Sequence, residues 1–204
     1  MKNKINALIL FLCCSAANAN DSAFNKARDS LFWPYLYSGQ YYTLYCGAEK
    51  RNRKGIDVEH VYATHWIAEH LGCKNRRTCN NEIYLQASSD MHNLWPALQR
   101  YNRSRGKQAF GEIRGDEPNF AGDRCDFERT KGKGAIVEPR DIVKGNIARS
   151  IMYMIHRYDL PDHGMLPMLV RWHISDPVSP EETRRNNLIK KLQGRSNPFI
   201  SVKN

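Results

Sequence analysis

Four cysteines remain once the first nineteen residues are set aside: Cys46, Cys73, Cys79 and Cys125. Those nineteen residues read as a secretion signal, and an exported chain with an even cysteine count is expected to fold around disulfides. Lys2 and Lys4 supply the basic start, Ala7 to Cys14 the short apolar run, and Ala17-Asn18-Ala19 a small-residue cleavage site. The run is shorter than the roughly 20 residues a bilayer-spanning helix needs. A buried N-terminal helix explains the cleavage pattern less well, as does a lipid anchor at Cys13 or Cys14, which Leu12 rather than a small residue precedes. Cleavage after Ala19 leaves residues 20–204, enough for one domain with a sizeable core, and no later segment is apolar enough to cross a membrane. Four cysteines allow three pairings. Cys73–Cys79 with Cys46–Cys125 is favoured, because the first pair would close a short basic loop. A zinc site competes, but five residues between Cys73 and Cys79 exceed the usual spacing and no second close pair exists.

Charge narrows the partners. Lys and Arg outnumber Asp and Glu 31 to 21. The signal holds two lysines and no acid, so the net charge falls only from +10 to +8 on cleavage. Such an excess favours a polyanion: nucleic acid, an anionic membrane surface or an acidic polymer. By itself this selects none of the three.

The expected elements make a mixed α+β, helix-rich single domain, with strands early and helices dominating the end. Asp21 to Leu36 reads as a helix that Pro34 bends or ends. Tyr41 to Tyr45 is aromatic and β-branched, hence a strand, and Ile56 to Val61 is a second one ending in Glu59 and His60. Thr64 to Leu71 is helical with Gly72 as its stop, and Asn80 or Asn81 caps a helix towards Ser88. Asp90 to Leu94 is an irregular turn. Pro96 opens a helix carrying Tyr101, Asn102 and Arg105. Gly106 to Gly134 reads as long loops plus a strand near Cys125 to Arg129. Three helices follow, over Pro139 to Tyr158, Met165 to Ile174 and Pro180 to Leu192. Ile142, Ile147, Ile151, Met154 and Ile155 lie at helical spacing and read as core.

Glu59-His60 joins an oxygen ligand to a base. Their side chains diverge on a strand, so the histidine can meet a water while the carboxylate holds a cation. Taken alone, such a pair is commoner on a solvated surface. The amide oxygen of Asn102 could be a second ligand, or merely face solvent. Arg105 lies on the same helical face and could hold a phosphate, or be an ordinary surface arginine. Arg76, inside the Cys73–Cys79 loop, could clamp a phosphate bidentately. His92-Asn93 is a tempting metal pair, yet reads better as polar residues holding the turn that aims the next helix. The other histidines show no partner pattern.

These pieces resemble the endonuclease I family over most of the chain after Tyr45. The resemblance rests on Leu44-Tyr45-Cys46-Gly47, Val58-Glu59-His60-Val61, Asp90-Met91-His92-Asn93-Leu94 with Pro96-Ala97, and Tyr101-Asn102 followed by Arg105. It continues through Glu138-Pro139, Lys144-Gly145-Asn146-Ile147-Ala148-Arg149, Tyr153-Met154, Trp172, Asp176-Pro177-Val178, Glu182 and Arg185-Asn186. It closes on Gln193-Gly194-Arg195-Ser196-Asn197-Pro198-Phe199-Ile200. The resemblance implies a ββα-metal site. By similarity His60 is the general base, Glu59 and Asn102 hold Mg²⁺ (Mn²⁺ or Ca²⁺ as substitutes), and Arg76 steadies the scissile phosphate. It implies a monomer that cuts DNA, and in several members RNA, without sequence preference, leaving 5′-phosphates, in the periplasm or the medium.

The chain departs from the family pattern in places. Tyr62-Ala63-Thr64 replaces the usual Val-Pro-Ala after the base, and two family cysteines are missing. Arg100 replaces an acidic residue, and Arg103-Ser104 stands where Gly-Asp is common. The groove is thereby more basic, and Arg100, Arg103 and Arg105 are its expected nucleic-acid contacts. Two other readings use the same charge: a noncatalytic exported nucleic-acid-binding protein, and a cationic envelope-binding protein.

Overall fold

The computed structural model describes residues 19–115 and 125–200. The expected signal peptide lies outside the described residues except for Ala19, where α1 (Ala19–Ala27) begins. The helix runs on in wider π turns over Arg28–Leu36. The chain stays helical through Pro34, because the wider coil makes room for the ring and its missing donor. Phe32, Trp33 and Leu36 from this segment bury themselves against Tyr41, Ile56, Met91, Leu94 and Ile189.

The strand expected over 41–45 is shorter than its composition suggests. β1 (Tyr41–Tyr42) pairs antiparallel with β2 (Glu49–Lys50) and stops there. The chain turns instead: Thr43 N donates to Ala48 O at 3.0 Å and Gly47 N to Thr43 O at 2.8 Å.

β3 (Ile56–His60) forms as its sequence predicts. It leads into α2 (Thr64–His70) and α3 (Glu82–Ser89). Gly72, at φ +66°, lies just past α2, and Asn81 Oδ1 caps α3 by accepting from Ile83 N and Tyr84 N. β4 (Leu94–Leu98) then returns antiparallel to β3, with His60 opposite Leu94 and Ile56 opposite Leu98. α4 (Gln99–Arg105) follows at once, so strand, strand and helix form a ββα unit. Here the sequence reading needs correcting: Pro96 does not open the helix but sits within β4, opposite Val58. A proline fits there because β4 is an edge strand. Its outward carbonyl accepts from Leu44 N at 2.8 Å.

The excursion between β3 and β4 is clasped at its base. Val61 N donates to Asn93 O, Tyr62 N to Asn93 Oδ1 at 2.6 Å, and Asn93 Nδ2 returns to Tyr62 O at 3.0 Å. His92 Nε2 meets Arg195 O at 3.0 Å. These two residues hold the turn and bond no carboxylate through their side chains.

β5 (Ala109–Phe110), β6 (Phe127–Arg129) and β7 (Ile136–Pro139) make a small sheet in the order β5-β7-β6. α5 (Lys144–Tyr158) therefore starts later than expected, after β7 and a 3₁₀ turn over Asp141–Val143. Ile147, Ile151 and Met154 are buried and Ile155 half-buried, as their spacing predicts. Ile142, expected in the core, is 69 % exposed, because it belongs to the turn and not to the helix. α6 (Leu166–Ser175) packs along α5, and α7 (Pro180–Gln193) opens on a Ser179–Glu182 capping box. The buried Arg149 forks onto Glu182, with Nε to Oε1 at 2.7 Å and Nη2 to Oε2 at 2.6 Å. Gly145 lies so close beneath the Asp176 carbonyl that no side chain fits there. Both favoured disulfides, Cys46–Cys125 and Cys73–Cys79, are formed. No helix among the described residues is long and apolar enough to cross a membrane.

Candidate active site

The end of β3 sends neighbouring side chains to opposite faces. His60 turns towards α3, where its Nε2 lies 2.8 Å from Ser88 O. A carbonyl only accepts, so Nε2 carries the hydrogen and Nδ1 keeps its lone pair. The ring of Phe24 packs 4.8 Å away, centroid to centroid. Burial lowers the His60 pKa to about 4, against the pull of the Ser88 bond and aided by the positive Arg76 and Arg105. The imidazole is thus neutral near pH 7 and able to accept a proton at Nδ1.

Glu59 turns inward and is 2 % exposed. Its Oε1 accepts from Tyr45 Oη at 2.7 Å and from Arg105 Nη1 at 2.9 Å. No described residue donates to Oε2. Burial pushes the carboxyl above its ordinary range, and the Arg105 charge opposes that shift.

One cavity of about 570 Å³ is lined by Glu59 and His60 from β3, Asn102 and Arg103 from α4, Arg76 from the disulfide loop, and Lys107. Arg76 is exposed in a loop that Cys73–Cys79 closes. Asn75 Oδ1 shapes that loop from inside, accepting from Arg77 N at 3.0 Å and Thr78 N at 3.1 Å. The four residues singled out for chemistry, Glu59, His60, Arg76 and Asn102, therefore share one space.

The three other arginines divide. Arg103 is exposed at the cavity wall. Arg100 is exposed and stacks on the Tyr101 ring, but it does not line this cavity. Arg105, expected as a surface contact for nucleic acid, is instead 1 % exposed, at the inner wall of the cavity. It lies over the rings of Trp66 and Phe110 and bonds Glu59, His60 O at 2.8 Å and Val61 O at 2.6 Å. A Glu59 carboxylate within reach pulled the guanidinium inward, where its donors replace the water it gives up.

Several participants escape sequence reasoning. Tyr45 sits in a motif but carries no mark of its bond to Glu59. The Ser88 carbonyl has no side-chain signature at all. His65 and Lys107 meet at the cavity, Nε2 to Nζ, at 2.9 Å. Their basic character was the one available signal.

The donor chemistry fits a hard cation that keeps several waters. No described residue donates to Glu59 Oε2, and Asn102 lines the same cavity. Cys46, Cys73, Cys79 and Cys125, the zinc alternative of the sequence, are all taken up in disulfides.

Comparison with known proteins adds the family context. The family model described as Endonuclease I matches residues 12–203. An extracellular deoxyribonuclease of Aeromonas hydrophila is 29 % identical over 222 aligned residues, covering 95 % of this chain and 94 % of that protein. A periplasmic deoxyribonuclease of the same organism is 32 % identical, covering 76 % of this chain and 68 % of the relative. An extracellular ribonuclease of Bacillus amyloliquefaciens is also 32 % identical, covering 66 % of this chain and 50 % of its own length.

Proposed function

We propose that this chain, which belongs to the endonuclease I family, is an exported nuclease that hydrolyses internal phosphodiester bonds of DNA and RNA to 5′-phosphate ends. The observation that carries the reading is the His60–Ser88 bond. It leaves Nδ1 of a neutral imidazole as the base, in the cavity that Glu59, Arg76 and Asn102 also line.

The roles follow from the chemistry. His60 Nδ1 takes the proton of the attacking water as the new P–O bond forms. Arg76 pairs with a non-bridging phosphate oxygen and favours the charge that builds there. Glu59 Oε2 and the Asn102 amide oxygen would hold Mg²⁺, with Mn²⁺ or Ca²⁺ as substitutes. When bound, such a cation supplies positive charge to the phosphoryl and leaving 3′-oxygens. Arg103 and Lys107 at the wall, with Arg100 beyond it, meet phosphates rather than base edges, which suits cutting without sequence preference. Relatives named for deoxyribonuclease and for ribonuclease activity support both substrates. Their extracellular and periplasmic names support export to one of those compartments.

The test runs supercoiled plasmid and RNA in parallel with Mg²⁺, with and without EDTA. Wild-type protein should nick both only with the metal. His60→Ala should lose about 10²- to 10⁴-fold in rate while still shifting DNA on a gel in EDTA. Normal cutting by that variant would overturn the assignment of the base.

A further inference from the structure

The chain places a buried guanidinium on the very carboxylate that the nuclease reading gives to the cation. Arg105 lies three residues after Asn102, one turn along the same face of α4. Its Nη1 reaches both Glu59 Oε1 and His60 O, and its Nη2 reaches Val61 O. The guanidinium lies over the rings of Trp66 and Phe110, at 5.1 and 4.7 Å from their centroids. Tyr45 Oη adds a second donor to the same Oε1. One side chain therefore ties together the helix that carries Asn102, the carboxylate of Glu59 and the backbone of His60.

We propose that Arg105, with Tyr45 beside it, is a positioning residue for the cation site. Together they saturate Oε1, so Glu59 offers Oε2 in a fixed direction, and Arg105 sets the distance between β3 and α4. The two oxygen ligands come from separate elements, and nothing in the covalent chain fixes their separation. A planar fork with several donors can do this, whereas an ammonium group cannot. Arg105 touches neither substrate nor reacting atoms in this role.

The inference rests on Glu59 being a ligand, so the test measures cation binding directly, without substrate. Mn²⁺ is titrated calorimetrically into the wild-type protein, Glu59→Gln, Arg105→Lys and Tyr45→Phe, with the fold of each checked by circular dichroism. Wild type should bind one Mn²⁺ and Glu59→Gln should not. Arg105→Lys should raise the dissociation constant about 10- to 100-fold. Tyr45→Phe, which keeps the ring and removes one donor, should raise it by a smaller factor. If Arg105→Lys fails to fold, Tyr45→Phe decides the question alone. Wild-type Mn²⁺ affinity in the folded Arg105 and Tyr45 variants overturns the positioning role and leaves the nuclease reading intact. Equal Mn²⁺ binding by wild type and Glu59→Gln instead removes Glu59 as a ligand, and the inference falls with it.

Discussion

Removing the two disulfides one at a time should separate stability from turnover. Cys46–Cys125 spans 79 positions in sequence and Cys73–Cys79 only 6. The entropy of closing those loops in the unfolded chain is worth about 4.5 kcal/mol for the long one and about 2.4 kcal/mol for the short one. The short bridge has a second duty, because the loop it closes presents Arg76 to the cavity. Without it the Asn75 bonds still shape the turn, but the loop is no longer pinned at both ends. The paired variant Cys46→Ala/Cys125→Ala should therefore lose the larger stability and cut DNA at near wild-type rate at temperatures where it stays folded. Cys73→Ala/Cys79→Ala should lose about 2 kcal/mol less. Its rate should fall by up to about 100-fold, since a displaced positioning group can cost that much. Urea titrations give the stabilities and initial rates of plasmid nicking give the turnover. A larger stability loss in the short-loop variant refutes the loop argument, and an unchanged rate in it refutes the pinning of Arg76.

Two more outcomes are expected. Arg149→Met leaves the buried Glu182 without its cationic partner and should cost about 3–5 kcal/mol. That corresponds to a fall in Tm of about 10 °C by calorimetry; a fall of a degree or less would contradict the burial of the pair. His92 is 1 % exposed, its Nδ1 finds no partner among the described residues, and burial lowers its pKa to about 4 despite the opposing charge of Asp90. Unfolding restores an ordinary value near 6.5, so the unfolded chain binds the proton more readily. The stability contributed by neutral His92 is complete above about pH 6.5 and is lost as the pH falls to about 4, on the order of 3 kcal/mol. Urea titrations between pH 7 and 4 should show a shallower loss for His92→Gln than for wild type, and identical slopes would count against it.

Much of the placement of the candidate site was legible because its parts lie on local patterns. A strand ending in Glu59 and His60 follows from composition, and a helix with Asn102 and Arg105 on one face follows from spacing. The disulfide pairing was legible from loop length and charge. What stayed hidden depends on who meets whom in space. Pro96 reads as a helix opener until Leu44 supplies its carbonyl with a donor. Arg105 reads as surface because an arginine away from a partner belongs there, and its partner lies 46 positions earlier. β7 spans four residues, too few for a strand period to stand out beside the helix that follows. Ile142 matched the helical spacing of α5, yet the chain there turns before the helix begins.

The Asn93 clasp has a consequence for how such a molecule can change. Segment 61–93 leaves and re-enters the ββα unit at adjacent points, sealed by hydrogen bonds between its first and last residues. It carries Arg76 and the Ser88 carbonyl, whereas Glu59 and Asn102 sit outside it. The excursion is rooted in the core through Tyr62, Trp66, Ile67 and Tyr84, but its Cys73–Cys79 loop stands exposed. That arginine loop can be lengthened, shortened or exchanged to suit a different polymer, provided the excursion still offers His60 a carbonyl.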